Sequence, residues 1–167
     1  AIDLIVQHIR TKLAMSDQRR HYPKLKLLPT NYQIRGMHTI IRNATTSRND
    51  FVFYADRLIR LVVEHGLGCL PFSEVTVQTP TGADYQGVAF SDRLCGVSVI
   101  RSGESMENAL RACCKGVKIG KILIRRERDS GPCRILYEKL PLDIARRYVL
   151  LLDPILASGA SSIAAID

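Results

Sequence analysis

The sequence predicts an α/β domain in which a mostly parallel sheet is flanked by helices and a β-hairpin arm stands apart. Three observations carry that reading. Residues 95–100, 121–124 and 149–152 are short apolar runs of strand length. The first and last run into polar, glycine-bearing loops and then into helical periodicity, the order of a strand-loop-helix unit. Residues 75–90 instead turn back at Pro80-Thr81-Gly82, as a hairpin does. Sheets of this kind bind ligands at the C-terminal ends of their strands, and Arg101, Arg126 and Asp153 all fall at that edge.

Composition limits what such a domain can do. With 167 residues and 46% apolar side chains, the chain holds one good core and is short for two full-sized domains. A net charge of +8 and a pI near 9.5 call for an anionic partner: a nucleic acid, a membrane surface or a polyphosphate metabolite. Aromatics are 6% with no Trp, and the basic residues run from Arg10 to Arg147 without interleaved rings, so no single-strand stacking platform is expected. Cys69, Cys95, Cys113, Cys114 and Cys133 form no CxxC pair and no zinc spacing, and read as reduced thiols, Cys95 and Cys113 as apolar filling. No run of 18 apolar residues exists to span a membrane.

In chain order, Ile2, Ile5, Val6, Ile9 and Leu13 predict a short amphipathic helix, and the polar, basic stretch 15–23 a linker. Thr30 and Gln33 form a capping-box pattern before Ile34, Met37, His38 and Ile41. Ser47 and Asp50 open a stronger helix whose apolar face runs from Phe51 through Tyr54, Ala55, Leu58, Ile59, Val62 and Val63 to a stop at His65-Gly66. After the strand 95–100, Ser105 is the expected N-cap of a helix with Met106, Ala109, Leu110, Cys113 and Val117 on one face, stopped by Gly116. Residues 125–132 are turn-like, and 135–137 return as a strand. The string Gly116-Val117-Lys118-Ile119-Gly120-Lys121 imitates a nucleotide P-loop, but its glycines are one residue too close, no Ser or Thr follows the Lys, and a strand comes next.

The last twenty residues carry the sharpest signal. The run 149–152 reads as a strand buried on both faces, Asp153 follows where it leaves the sheet, and small and hydroxyl residues fill 157–162 before a helical start. Such a loop converges its backbone N–H groups on a helix N-terminus, with Ser158, Ser161 and Ser162 as further donors. That is an anion site or, equally, an ordinary serine-capped connection.

The literal string narrows the choice. Leu151-Leu152-Asp153-Pro154-Ile155-Leu156-Ala157-Ser158-Gly159-Ala160-Ser161 resembles the phosphoribosyl-pyrophosphate (PRPP) loop of uracil phosphoribosyltransferases, LLDPMLATGGS. Residues 96–107 (GVSVIRSGESME) resemble that family's GVSIxRAGESME segment, 119–124 its IGKILIQ strand and 137–141 its YEKLP return. Residues 35–42 and 51–60 are similar to eukaryotic-type members. The resemblance covers 25–167 with its motifs in order. Residues 1–9 look like the end of a uridine kinase domain of bifunctional uridine kinase-like proteins. It implies a kinase helix over 1–14, a linker over 15–24 and a transferase domain of type I phosphoribosyltransferase-like fold over 25–167. It also implies an incomplete C-terminus, because the family's uracil-recognition segment, near GxGDFGDRYFGT, follows the PRPP loop. Both ends look cut from a longer protein. Ending at Asp167, the chain alone is expected to lack uracil transfer, bind PRPP weakly and aggregate.

The implied activity is pyrimidine salvage, in which uracil and PRPP give UMP and pyrophosphate with Mg2+ on the diphosphate and no direct metal ligand. By resemblance Arg101 and Asp153 are the catalytic residues. Arg101 and Arg126 hold the diphosphate, with Ser102, Gly103 and Glu104 in the pyrophosphate loop. Asp153 meets the ribose hydroxyls, and Pro154, Ile155, Leu156, Ala157, Ser158, Gly159, Ala160 and Ser161 wrap the 5′-phosphate. Ser158 keeps the hydroxyl of the family's Thr, whereas Ala160 replaces a glycine. GTP is the implied effector, ATP serves the absent kinase half, and the intact protein is expected to be a cytoplasmic homo-oligomer with neither nucleic-acid nor membrane partners. A catalytically weak regulatory module and a basic nucleic-acid-binding domain are the competing readings.

Overall fold

A computed structural model describes residue 22 and residues 24–90, 93–126 and 133–166. The expected first helix, nearly all of the linker and most of the turn at 125–132 lie outside the described residues. Helix α1 spans Tyr32–Arg42 and α2 spans Arg48–Leu67. The cap of α1 is Asn31, whose Oδ1 accepts from Ile34 N at 2.9 Å, one residue after the expected Thr30. Both residue types can cap, and the backbone is extended at Asn31. Ser47 caps α2 as expected: its Oγ accepts from Asp50 N at 3.1 Å and donates to Asp50 Oδ2 at 2.7 Å. The helix passes His65-Gly66 and ends one residue later, with Gly68 as its cap. Gly66 is buried within its final turn. Ile34, Met37 and Leu58 join the two helices in a small core of their own.

Strands β1 (Ser73–Gln78) and β2 (Asp84–Ala89) pair antiparallel as the expected hairpin, and Gly82 supplies the positive φ of 82° that its turn requires. The hairpin forms its own two-stranded sheet. Phe90 at its base packs at a tilt against Phe72 and edge-on against Tyr148, tying the arm to the main sheet.

The main sheet has the order β5-β4-β3-β6, from β3 (Arg93–Ile100), β4 (Lys118–Arg126), β5 (Cys133–Lys139) and β6 (Arg147–Leu152). Both neighbours of β3 run parallel to it and β5 returns antiparallel, so the sheet is mostly parallel. Leu150 and Leu152 face α2 and helix α3 (Glu107–Cys113), in a core with Val63, Met106, Ala109 and Leu110. Cys95, Val97 and Ile122 make the core of the opposite face, reached by Leu140, Val149, Leu151 and Ala165. The buried strand is thus β3; Val149, Leu150 and Leu151 are only half-buried. The sequence expectation for 149–152 fails because β6 ends the sheet, with β3 as its sole neighbour among the described residues.

Two local features differ from the helical pattern expected after β3. A 3-10 turn at Ser102–Met106 precedes α3, and Ser105 does not cap it; its Oγ donates to Ser102 O at 2.7 Å. Helix α3 stops at Cys113, so Val117 reaches the core from the connection into β4. Helix α4 spans Ala160–Ile166.

Candidate active site

The site is assembled at one edge of the sheet by strand register. Ser98 pairs with Leu152 and Ile100 with Leu123, so β3 and β6 end within two residues of each other in register, while β4 runs three residues further, to Arg126. Arg101 leaves β3 through a cis Ile100–Arg101 peptide bond, Arg126 ends β4, and Asp153 directly follows β6.

The loop after β3 is pressed onto the end of β6. A Cβ on Gly103 would collide with the carbonyl oxygen of Leu152 and crowd Ser98 Cα, so only glycine lets the two backbones approach. The closeness brings Ser102 to Asp153: its Oγ donates to Oδ1 at 3.1 Å, and the same oxygen accepts from Ile155 N at 3.3 Å. Arg101 is exposed at this edge with no ion-pair partner among the described residues.

The second loop, from Asp153 to Gly159, is open. Pro154, Ile155, Ala157 and Ser158 are exposed, while Leu156 turns inward against Val62, Val63, Met106, Leu110 and Leu152 in an apolar cleft that Asp153 also lines. Gly159 takes φ 77°, which brings Ala160 N to 3.5 Å from Ser158 Oγ and starts α4 with a bond from Ile163 N to Gly159 O at 2.9 Å. Ser162 is buried, and its Oγ has no hydrogen-bond partner among the described residues. Asp153, Ser102, Gly103 and the loop 154–161 therefore share one edge, with Arg101 beside them; no described contact joins Arg126, at the end of β4, to this group.

Behind the first loop lies a charged network of which sequence reasoning gave a role to Glu104 alone, in the pyrophosphate loop. Lys121 Nζ is 2.6 Å from Glu104 Oε1 and 3.4 Å from Glu107 Oε1. Ser98 Oγ donates to the same Glu107 oxygen at 2.6 Å. The hydrogen bond to Glu104 raises the pKa of Lys121, so the ammonium stays charged. A serine in the otherwise apolar run 95–100 was the signal available for it. Burial, then a hydrogen bond to Glu64, pushes the Cys113 thiol up to about 11, and burial raises Cys95 and Cys114, so these three thiols are disfavoured as thiolates. All five are free. His38 is buried on α1, with its pKa lowered by burial and by Arg42.

A mostly parallel sheet with two adjacent loops at the C-terminal ends of its strands, one bearing an acid and the other an arginine, defines an α/β protein of the kind that binds ligands at its strand ends. The comparisons with known proteins give that class a family. The family model described as UPRTase, uracil phosphoribosyltransferase, matches residues 28–167, and the chain belongs to that family. It is 67% identical over 167 residues to uridine kinase-like protein 4 of Arabidopsis thaliana, covering 100% of this chain and 35% of the relative. It is 56% identical over 147 residues to a uracil phosphoribosyltransferase of Dictyostelium discoideum, covering 87% of this chain and 68% of the relative. The chain thus spans about a third of the length of the uridine kinase-like relatives it matches, 35% in each of two. Among solved structures, a protein of Aquifex aeolicus, AQ2163, superposes with a TM-score of 0.67 at 22% identity, over 83% of this chain and 66% of that one, a likeness of fold. No described helix is long and apolar enough to cross a membrane.

Proposed function

We propose that the protein carrying this chain transfers the phosphoribosyl group of PRPP to uracil, giving UMP and pyrophosphate. The observation that carries the proposal is the meeting of Ser102 and Asp153, which joins the arginine-bearing loop after β3 to the acid-bearing loop after β6. As the bond from sugar to diphosphate lengthens, positive charge grows on the ribose and negative charge on the leaving group. Asp153 is the group for the first charge: its carboxylate lies at the strand end, where it accepts from ribose hydroxyls and steadies the ring. Arg101 and Arg126 are the groups for the second, taking the diphosphate by charge-assisted bonds. The loop 154–161 wraps the 5′-phosphate, with the backbone N–H groups near Gly159 and the hydroxyls of Ser158 and Ser161 as donors. Ala160 retains its N–H there although it lacks the freedom of a glycine.

No step requires a nucleophilic side chain. The residues fit a Mg2+ that arrives on the diphosphate: Asp153 offers a half-exposed carboxylate at the same edge. When bound, Mg2+ would offset charge on the leaving diphosphate. We place residues 1–14 in an upstream kinase half that uses ATP, 15–24 in a linker, and uracil recognition and GTP regulation in the parent protein, a homo-oligomer. The uridine kinase-like names of its relatives support the kinase half. We place the parent in the cytoplasm, although one Arabidopsis relative is named chloroplastic.

The test is the parent protein incubated with labelled uracil, PRPP and Mg2+. The expected product is labelled UMP, formed with one pyrophosphate per UMP. Uracil recovered unchanged by a folded protein that binds PRPP would overturn the transfer.

A further inference from the structure

The loop after β3 carries a carboxylate in the place where the proposed function, on which this inference rests, sets a diphosphate. Glu104 follows Gly103 directly, and Gly103 is packed on Leu152 next to Asp153. Glu107 lies one turn on, its side chain only 14% exposed. Like charges this close to a bound polyanion repel it, with an energy that falls only as the inverse of distance and rises where water is excluded. The fold answers with one cation. Lys121 stands opposite Ser98 in the parallel register of β3 and β4, so strand pairing delivers its ammonium under the loop. There it is shared between Glu104, at 2.6 Å, and Glu107, at 3.4 Å. Ser98, fully buried, fixes Glu107 from the strand side through its 2.6 Å hydrogen bond. Glu104, Glu107 and Lys121 together carry one net negative charge; without Lys121 they would carry two.

We propose that Lys121 is a positioning residue for diphosphate binding, acting through Glu104 and Glu107 by cancelling negative charge beneath the loop that receives the phosphates. It does not touch the ligand. A purely mechanical tether between β4 and the loop would use the same contacts, and the two roles differ in sign. If charge is what matters, removing the cation weakens binding and removing the anion strengthens it. If the tether is what matters, cutting it from either end weakens binding.

The experiment measures binding of inorganic pyrophosphate and of PRPP, each with Mg2+, to the parent protein by titration calorimetry. Lys121→Met should weaken both ligands by about three- to tenfold, Glu104→Gln should tighten both by about threefold, and the double variant should return close to wild type. Lys121→Arg, which keeps the charge, should bind like wild type. All differences should shrink in about 0.5 M salt, where the Debye length falls well below the size of the site. Weakening by Glu104→Gln comparable to that of Lys121→Met would overturn the charge role, as would an unaffected Lys121→Met. Should Lys121→Met fail to fold by circular dichroism, the sign of Glu104→Gln and the rescue by Lys121→Arg still decide. A wild type that binds pyrophosphate but makes no UMP overturns the transfer reading and leaves this inference standing; a wild type that binds but lacks the sign pattern overturns only this inference.

Discussion

The same three parallel strands end in two differently organised sets of charges. At their N-terminal ends, Arg93, Lys118 and Arg147 converge on Asp143. Arg147 places its guanidinium on both carboxylate oxygens at 2.9 and 2.7 Å, Lys118 stands at 3.3 Å and Arg93 at 3.8 Å. Arg147 also donates to Leu94 O at 3.0 Å, so the cluster fastens β6 to β3. At the C-terminal ends, among the described residues, Arg101 is left exposed without an ion-pair partner and Asp153 is met only by a neutral hydroxyl and a backbone N–H. Charge turned inward on the protein's own partners serves the fold, and charge left over is available to a ligand. Net charge makes no such distinction: Arg93 and Arg101 count equally towards the +8.

The comparison would break first at Asp153. Asp153→Asn keeps the shape and removes the charge proposed to steady the ribose as it becomes cationic, so turnover in the parent protein should fall by ~10^2-fold or more. PRPP affinity should change far less, because the diphosphate and 5′-phosphate contacts remain. Steady-state kinetics with separate kcat and KM decide this, and unchanged kcat would return Asp153 to the role of a loop cap for Ile155.

A smaller effect is expected from the arginine beside it. Arg101→Ala removes charge-assisted bonds to phosphate, on the order of 1.5 to 3 kcal/mol, or roughly ten- to 150-fold in Kd. Ribose 5-phosphate, which lacks the diphosphate, should bind Arg101→Ala as it binds wild type. Equal loss of both ligands in a calorimetric comparison would mean that Arg101 supports the loop and leaves the diphosphate unread.

How much of this was legible in the sequence depends on the range of the interaction. The strands, the hairpin and the placement of Asp153 after an apolar run follow from local pattern and formed where periodicity put them, whereas the helix after β3 starts later and stops earlier than its pattern implied. The α1 cap moved from Thr30 to Asn31 because two capping residues adjoin and only backbone geometry chooses between them. The 3-10 turn at Ser102–Met106 was hidden because its composition suits the first turn of an α-helix equally well, and the close approach of Gly103 to Leu152 on the neighbouring strand is a contact no local pattern records. Lys121 could not be singled out from sequence, since its partners Glu104 and Glu107 lie on a different strand-loop unit and a lysine on a strand is ordinarily solvated. Asp143 was likewise silent: residues 93, 118 and 147 converge on it only once the strands are in register.

That cluster supplies the smallest effect expected here and the cleanest contrast with Asp153. The Asp143 carboxyl is held well below the ordinary carboxylate range, mainly by its hydrogen bonds from Arg147 and further by Lys118. A depressed folded-state pKa means that the unfolded chain takes up the proton first, so the contribution of this group is present above the ordinary Asp pKa and is lost as pH falls below it. Asp143→Asn removes that contribution and leaves Arg93, Lys118 and Arg147 facing one another. Its melting temperature at neutral pH should drop on the order of a few degrees. Between about pH 5 and pH 3 the wild type should lose melting temperature more steeply than the variant, because the variant no longer has this carboxyl to protonate. Uracil transfer and PRPP affinity at 25 °C should match wild type, since the cluster lies at the opposite end of the strands from Asp153. Differential scanning calorimetry across that pH range, beside the kinetic assay, measures both halves. If Asp143→Asn changed PRPP affinity as much as Arg101→Ala, the two ends of the sheet would be coupled through β3 and β6, and the division between charges that hold the fold and charges that meet the ligand would fail.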